Sequence, residues 1–418
     1  MERPDRDCKR SSFVDKTNAT RWYVATFNRG LMHCGNRAAY KMKGPVVKNI
    51  ITYVGIDAHK KEHKVAAIFP EHEEIVEMVI PNRVREITKM IKKLKKQAPG
   101  EIYFCYEAGV CGFDLQRRIQ VAGSHCAVIA PSLIPRKPGE RIKTDRRDAK
   151  KLAMLFKNNL LTEVQPPNPE QEAARELTRQ RENARINLGR IRQRVLKFLT
   201  RHGFIYTKGK TWTQKHKDWL TSVRFDQPLL QEVYQNYLEE LTICNHHLSQ
   251  LDKEVMHLSE SQPYRELVGL LRCCRGIDTL TAISLLTEIF DFGRFATARE
   301  LMSYLGLTPS EDSSGESRRR GNIGKNGNKR ARRLLSEAAW HYRHPYKVGQ
   351  VLRRRRENQL GWAIAMADKA GYRLSRRFSR LVNRGKVPCK AVIAVARELS
   401  GFIWAMLRTH EAYQASET

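Results

Sequence analysis

The chain has 418 residues and a formal net charge of +32, from 76 Lys and Arg against 44 Asp and Glu. That length accommodates two or three domains with buried cores, and so large a cationic excess calls for a polyanionic partner, DNA or RNA first. No apolar run approaches a membrane span, no basic amphipathic helix stands out, and nine scattered cysteines lack metal-ligand spacing, which argues against a membrane partner, structural zinc and a disulfide framework.

In chain order, residues 1–48 mix Arg, Cys, Asn and Gly without a period or a signal-peptide core, and read as a disordered extension, with Met42 nearer the natural start. Patterning begins at Ile50. Residues 51–56, 64–69 and 74–80 read as strands. Asn82 caps a helix with Ile87, Met90, Ile91 and Leu94 on one face. Residues 101–106 form a strand, 113–121 a short helix and 126–130 another strand. Three strands, helix, strand, helix, strand is the element order of a ribonuclease-H-like α/β domain, expected over 49–165. A basic stretch, 136–143, leads into a helix carrying Asp145 and Asp148.

The Pro-rich segment 165–169 then breaks the chain, and Asn168 followed by Pro169 is a helix start. Leu177, Ala184, Leu188, Ile191, Val195 and Phe198 repeat at threes and fours, and a second seam runs from Leu230 to Leu258. The spacing predicts an antiparallel helical pair or dimerising coiled coil over 166–262. The third region, 263–410, reads as mainly helical, interrupted by a polar Ser/Gly/Arg-rich loop at 310–328.

Two constellations carry chemistry. Asp57 and Glu107 end predicted strands, and Asp145 and Asp148 share one helix face at i, i+3. Four converging carboxylates stay ionised only with cations, and two Mg²⁺ ions would clamp a phosphodiester for in-line attack. Singly, each acid reads as a surface or salt-bridged group. His59 and His63 read as exposed loop residues beside this cluster. In the polar loop, Gly315, Gly321, Gly324 and Gly327 let amides approach phosphate, while Arg318, Arg319, Arg320, Lys325, Lys329 and Arg330 supply charge. A serine beside Gly315 is a nucleophile candidate, and a flexible nucleic-acid-binding loop is the plainer alternative. Residues 276–289 suggest a helix-hairpin-helix or a simple turn. The arginine runs 353–356 and 373–380 read as nucleic-acid contacts. Trp362 and Trp404 read as core, whereas Trp212 and Trp219 suit either base stacking or local packing.

These pieces resemble the DEDD transposases of bacterial insertion sequences, the one-ten family, also called bridge-RNA-guided recombinases. The matching segments are YVGIDAHK at 53–60, YEAG at 106–109, KTDRRDA at 143–149, GIDTLTA at 276–282, YLGLTP at 304–309, SSG at 313–315, IGKNGN at 323–328 and AVARELSGFIWA at 394–405. The likeness covers roughly residues 50–408. It implies a RuvC-like domain, a coiled-coil middle and a C-terminal transposase domain. It also implies that Asp57, Glu107, Asp145 and Asp148 bind Mg²⁺, two per site, and that Ser314, with Ser313 adjacent, forms a phosphoserine link to DNA. Donor and target DNA, a structured non-coding RNA and a homo-oligomer of two to four subunits are the implied partners, in a bacterial or archaeal cytoplasm. Gly324 stands where the family usually has Thr or Ser, and residues 1–48 are not part of the pattern. Two alternatives remain beside recombination: a Holliday-junction resolvase or nuclease using only the carboxylates, and a non-catalytic RNA-binding scaffold.

Overall fold

A computed structural model describes residues 50–70, 75–135, 145–314 and 317–417. The N-terminal extension expected over 1–48 and the basic stretch 136–143 lie outside the described residues.

The first region is a six-stranded mixed sheet of order β3-β2-β1-β4-β5-β6. Its strands are β1 (Ile51–Ala58), β2 (Glu62–Ile68), β3 (Val76–Pro81), β4 (Glu101–Glu107), β5 (His125–Ile129) and β6 (Glu163–Val164). β1 is antiparallel to β2 and parallel to β4, which is parallel to β5. Alternation along each strand sends side chains to two faces. Val54, Ile56, Phe104 and Tyr106 enter one core. There they meet Ile87, Met90, Ile91 and Leu94 of α1 (Val84–Gln97), the face its apolar spacing predicts, and Leu115 and Ile119 of α2 (Asp114–Val121). Cys105, Ala127 and Ile129 face the other way and pack on Leu152 of α3 (Asp145–Lys157). β6, two residues long and antiparallel to β5, is too short to leave an alternation signal.

α4 (Pro169–Arg201) and α6 (Pro228–Glu260) each run 33 residues, about 50 Å at 1.5 Å per residue. α4 opens on the expected cap: Gln171 N donates to Asn168 Oδ1 at 2.7 Å and Asn168 N donates to Gln171 Oε1 at 3.0 Å. The pair is antiparallel, because Arg181 meets Asp252, Arg192 meets Asn245 and Arg194 meets Glu240. The connector contains α5 (Gln214–Ser222), which packs back with Leu220 and Val223 in a cluster with Val195, Phe198 and Tyr234. Trp212 and Trp219 pack against this cluster, and Arg192 sits over the Trp212 ring, so both tryptophans serve local packing.

The remaining helices are α7 (Tyr264–Arg272), α8 (Thr279–Ile289), α9 (Ala298–Tyr304), α10 (Lys329–Ala339), α11 (Gln350–Arg356), α12 (Gly361–Asn383) and α13 (Pro388–Glu417). All but α11 contribute to one core centred on α8, α10, α12 and α13, against which Trp362 and Trp404 pack. Between α7 and α8, Gly276 adopts φ +84°, where a Cβ would stand 2.4 Å from the Ala338 carbonyl. Asp278 caps α8 by accepting from Thr281 N at 2.8 Å. A carboxylate therefore occupies that helix N-terminus. Among the described residues no helix is long and apolar enough to cross a membrane.

Candidate active site

The parallel pairing of β1 with β4, Ile56 opposite Tyr106, brings Asp57 and Glu107 to the same end of adjacent strands. Both follow the face of Gly55 and Cys105, which α3 covers. Gly55 explains how closely α3 comes: a Cβ there would lie 2.3 Å from the Ala149 carbonyl and 2.5 Å from the Ala153 amide. Cys105 Sγ donates to the Leu152 carbonyl at 3.7 Å, and the Phe156 ring lies 5.7 Å from that of Tyr53. Helix numbers fall as strand numbers rise, so the N-terminal turn of α3, with Asp148, overlies the strand ends that carry Asp57 and Glu107. Asp145 is the first residue of that helix; its carboxylate lies outside the described residues.

Three of the four acids are thus on one face at one end of the sheet, in different surroundings. Glu107 is exposed, Asp148 is half-buried, and the Asp57 side chain is 19% exposed with Oδ2 3.0 Å from His59 Nε2. Cys111, in the loop after β4, donates to the Ala58 carbonyl at 3.5 Å and ties that loop to the end of β1. Its thiol is pushed up by burial and by the Asp57 charge. His63 departs from its expected exposure: it lies on β2 and is buried, and burial lowers its pKa. Period-2 alternation turns it inward, whereas His59 lies beyond the strand. Among the described residues, no three His, Cys, Asp or Glu side chains are gathered closely enough to hold a metal ion. The donor chemistry still fits a hard divalent cation, because carboxylate oxygens on rigid strand ends and a helix are the ligands Mg²⁺ takes.

The polar segment at 310–328 is not an irregular loop. It forms a hairpin of β7 (Pro309–Ser314) and β8 (Ser317–Ile323), with Ser314 opposite Ser317 beside the tip and Glu311 opposite Arg320. The polar composition concealed it, because the side chains described on its strands are exposed or half-buried and leave no apolar alternation. Ser313 and Ser314 are exposed, and Ser313 Oγ donates to Glu311 Oε1 at 3.2 Å. The hairpin base is clamped between α9 and α10. Gly324 N donates to the Thr308 carbonyl and Lys325 N to the Gly306 carbonyl. Arg319, Lys325 and Lys329 are exposed; Arg330 is half-buried and reaches Asn183 Oδ1 at 3.4 Å. The side chains of Arg318 and Arg320 lie outside the described residues. Ser314 is carried by the helical region and the acids by the sheet, with the α4–α6 pair between them in the chain.

Sequence reasoning missed Glu288, on α8. It is 3% exposed, and Arg179 of α4 grips it through two bonds of 2.8 and 2.9 Å. Asn328 Nδ2 donates to it at 2.7 Å while Asn328 Oδ1 caps α10 by accepting from Arg330 N and Ala331 N. Burial alone would raise the Glu288 pKa, but these partners hold it below the ordinary value. Glu288 thereby fixes the α10 start just after the hairpin. A single charge within an otherwise uncharged helix was the one available signal. Of the arginine run 353–356, Arg356 is buried and bonds the Cys273 carbonyl and Asp368, so that part of the run is structural and not free for nucleic acid.

Two family profiles match the chain: a DEDD transposase family of the IS110 type over residues 54–204, and the transposase IS116/IS110/IS902 family over residues 269–351. The first domain is consistent with a ribonuclease-H-like fold and suggests divalent-metal dependence. The y4qE protein of Sinorhizobium fredii is 39% identical over 362 residues, 85% of this chain and 88% of the relative. The transposase for insertion sequence element IS1533 of Leptospira borgpetersenii is 38% identical over 339 residues, covering 80% and 97%. The transposase for insertion sequence element IS1111A of Coxiella burnetii is 23% identical over 274 residues, covering 65% and 68%. With Asp57 and Glu107 at one end of its central strands and both family profiles in order along it, the chain belongs to the IS110 family of insertion-sequence transposases, enzymes that act on DNA.

Proposed function

We propose that this transposase excises and inserts its element by strand exchange through a covalent serine intermediate. The observation that supports this reading is that Asp57 and Glu107 end adjacent parallel strands, with Asp148 in the first turn of the helix packed across that face. Asp57, Glu107, Asp145 and Asp148 would hold Mg²⁺, which when bound supplies charge neutralisation at the scissile phosphate. His59, hydrogen-bonded to Asp57, orients that carboxylate. Ser314 Oγ attacks phosphorus: an Oγ–P bond forms, the bond to one sugar oxygen breaks, and that oxygen leaves as a hydroxyl carrying the serine proton. Attack by a hydroxyl of another strand reverses the step and releases the serine. Arg319, Lys325, Lys329 and Arg330 hold the backbone near the hairpin, joined by Arg318 and Arg320.

Ser314, exposed on a hairpin of a separate region, is suited to complete the acid cluster of a second subunit, so the working form is a homo-oligomer of two to four chains. The domain limits proposed are 49–165, 166–262 and 263–410, with a structured non-coding RNA as guide, in the cytoplasm. Base pairing would then choose the site while the protein reads backbone and shape.

The test is to incubate the protein with element-end DNA and Mg²⁺ and resolve covalent protein–DNA adducts under denaturing conditions. Ser314→Ala is expected to remove the adduct, by at least about 10³-fold, with the fold intact; Asp57→Asn, Glu107→Gln and chelation should do the same. Undiminished cutting by Ser314→Ala would instead make the enzyme a carboxylate-only nuclease. Sequencing co-purified RNA tests the guide.

A further inference from the structure

A groove of about 1450 Å³ runs along α12, away from the serine hairpin in sequence. Lys369, Arg373, Arg376, Arg380 and Arg384 line it at spacings of three and four, a single row on one helix face about 22 Å long. Glu398 of α13 holds Arg373 and also Arg377, the latter at 3.0 Å. Lys369, Arg376, Arg380 and Arg384 are exposed and make no ion pair among the described residues. Glu398 therefore neutralises one edge and leaves four cations along the row.

The groove wall is built rigidly. The Tyr346 ring fills the space beside Gly371, where a Cβ would come within 2.2 Å of it. Its hydroxyl donates to Asp368 Oδ1 at 2.6 Å and accepts from buried Arg356 at 2.8 Å. Tyr372 stands edge-on to that fixed ring at 4.9 Å, yet is itself 61% exposed. Ser375, nearly fully buried in the groove lining, has an Oγ with no hydrogen-bond partner among the described residues.

We propose that this groove is a binding site for an unpaired DNA strand, with phosphates following the α12 cations and a base stacked on Tyr372. One row of cations tracks one backbone, and an open aromatic face needs a base whose own faces are free, as in a single strand. DNA is the occupant because it is the substrate of the family. The inference is independent of Ser314 and of the proposed guide RNA.

The experiment measures fluorescence anisotropy of a labelled mixed-sequence single-stranded DNA with the full-length protein, over a range of salt. Arg376→Ala with Arg380→Ala is expected to weaken binding about tenfold and to reduce the salt slope by about 1.4, two contacts at roughly 0.7 each. Tyr372→Ala should cost a further loss of about tenfold, and Tyr372→Phe should restore it, because stacking needs the ring and not the hydroxyl. Affinity for blunt duplex should be unchanged, as should single-strand binding by Ser314→Ala. Undiminished single-strand binding by the groove variants overturns the proposal, as does a parallel loss of duplex binding. Tighter wild-type binding to RNA of the same sequence overturns the assignment to DNA. A change in the sedimentation of the free variants, with DNA binding intact, would make the groove a subunit contact instead.

Discussion

At the scale of single residues, Gly55 and Glu288 matter as much as the acids they position. Gly55 lets α3 lie against β1, and through that contact Asp148 reaches the strand ends. Gly55→Ala forces a methyl into backbone atoms at 2.3 and 2.5 Å. It is expected to cost about 1–3 kcal/mol in urea unfolding and to lower adduct formation sharply although every carboxylate is retained. Glu288 is a buried charge held by Arg179 and Asn328. Glu288→Ala leaves Arg179 with only its exposed partner Glu176, at a site still partly solvated, for a loss of about 3 kcal/mol. Its depressed pKa has a sign that can be checked. Stability from Glu288 is fully present above the ordinary Glu value of 4.5 and is lost as pH falls through the lower folded value. The acid limb of a stability–pH curve should therefore flatten in Glu288→Gln.

Among the elements, the hairpin illustrates how a polar segment becomes ordered from outside itself. None of the side chains described on its strands is buried, so its position comes from the helices at its base. Gly327 sits there with φ +78°, where a Cβ would lie 1.8 Å from the Tyr304 carbonyl. Gly327→Ala is expected to destabilise by about 1–3 kcal/mol, from strain and backbone collision. It should also slow serine adduct formation while leaving single-strand binding at α12 intact, which separates a misplaced hairpin from a damaged groove. The long helices behave oppositely. α4 and α6 carry their own caps and apolar seams, so their existence and pairing were legible in sequence, whereas α5 was hidden because its burial depends on the end of the pair it closes.

For the whole molecule, charge, periodicity and motif order already determined the outcome in outline: a nucleic-acid enzyme with an α/β domain, a long helical pair and a helical C-terminal region. Those features are local or additive, so they survive without coordinates. Apolar spacing chose the inner face of α1, and Asn168 with Pro169 chose the start of α4. What only the tertiary structure decided is how residues distant in sequence share one space. Parallel pairing set Asp57 beside Glu107, a missing Cβ at Gly55 let the helix of Asp148 close over them, and burial turned Arg356 from an expected nucleic-acid contact into a strut. Proximity of that kind arises from packing many side chains at once, and no single stretch of sequence encodes it.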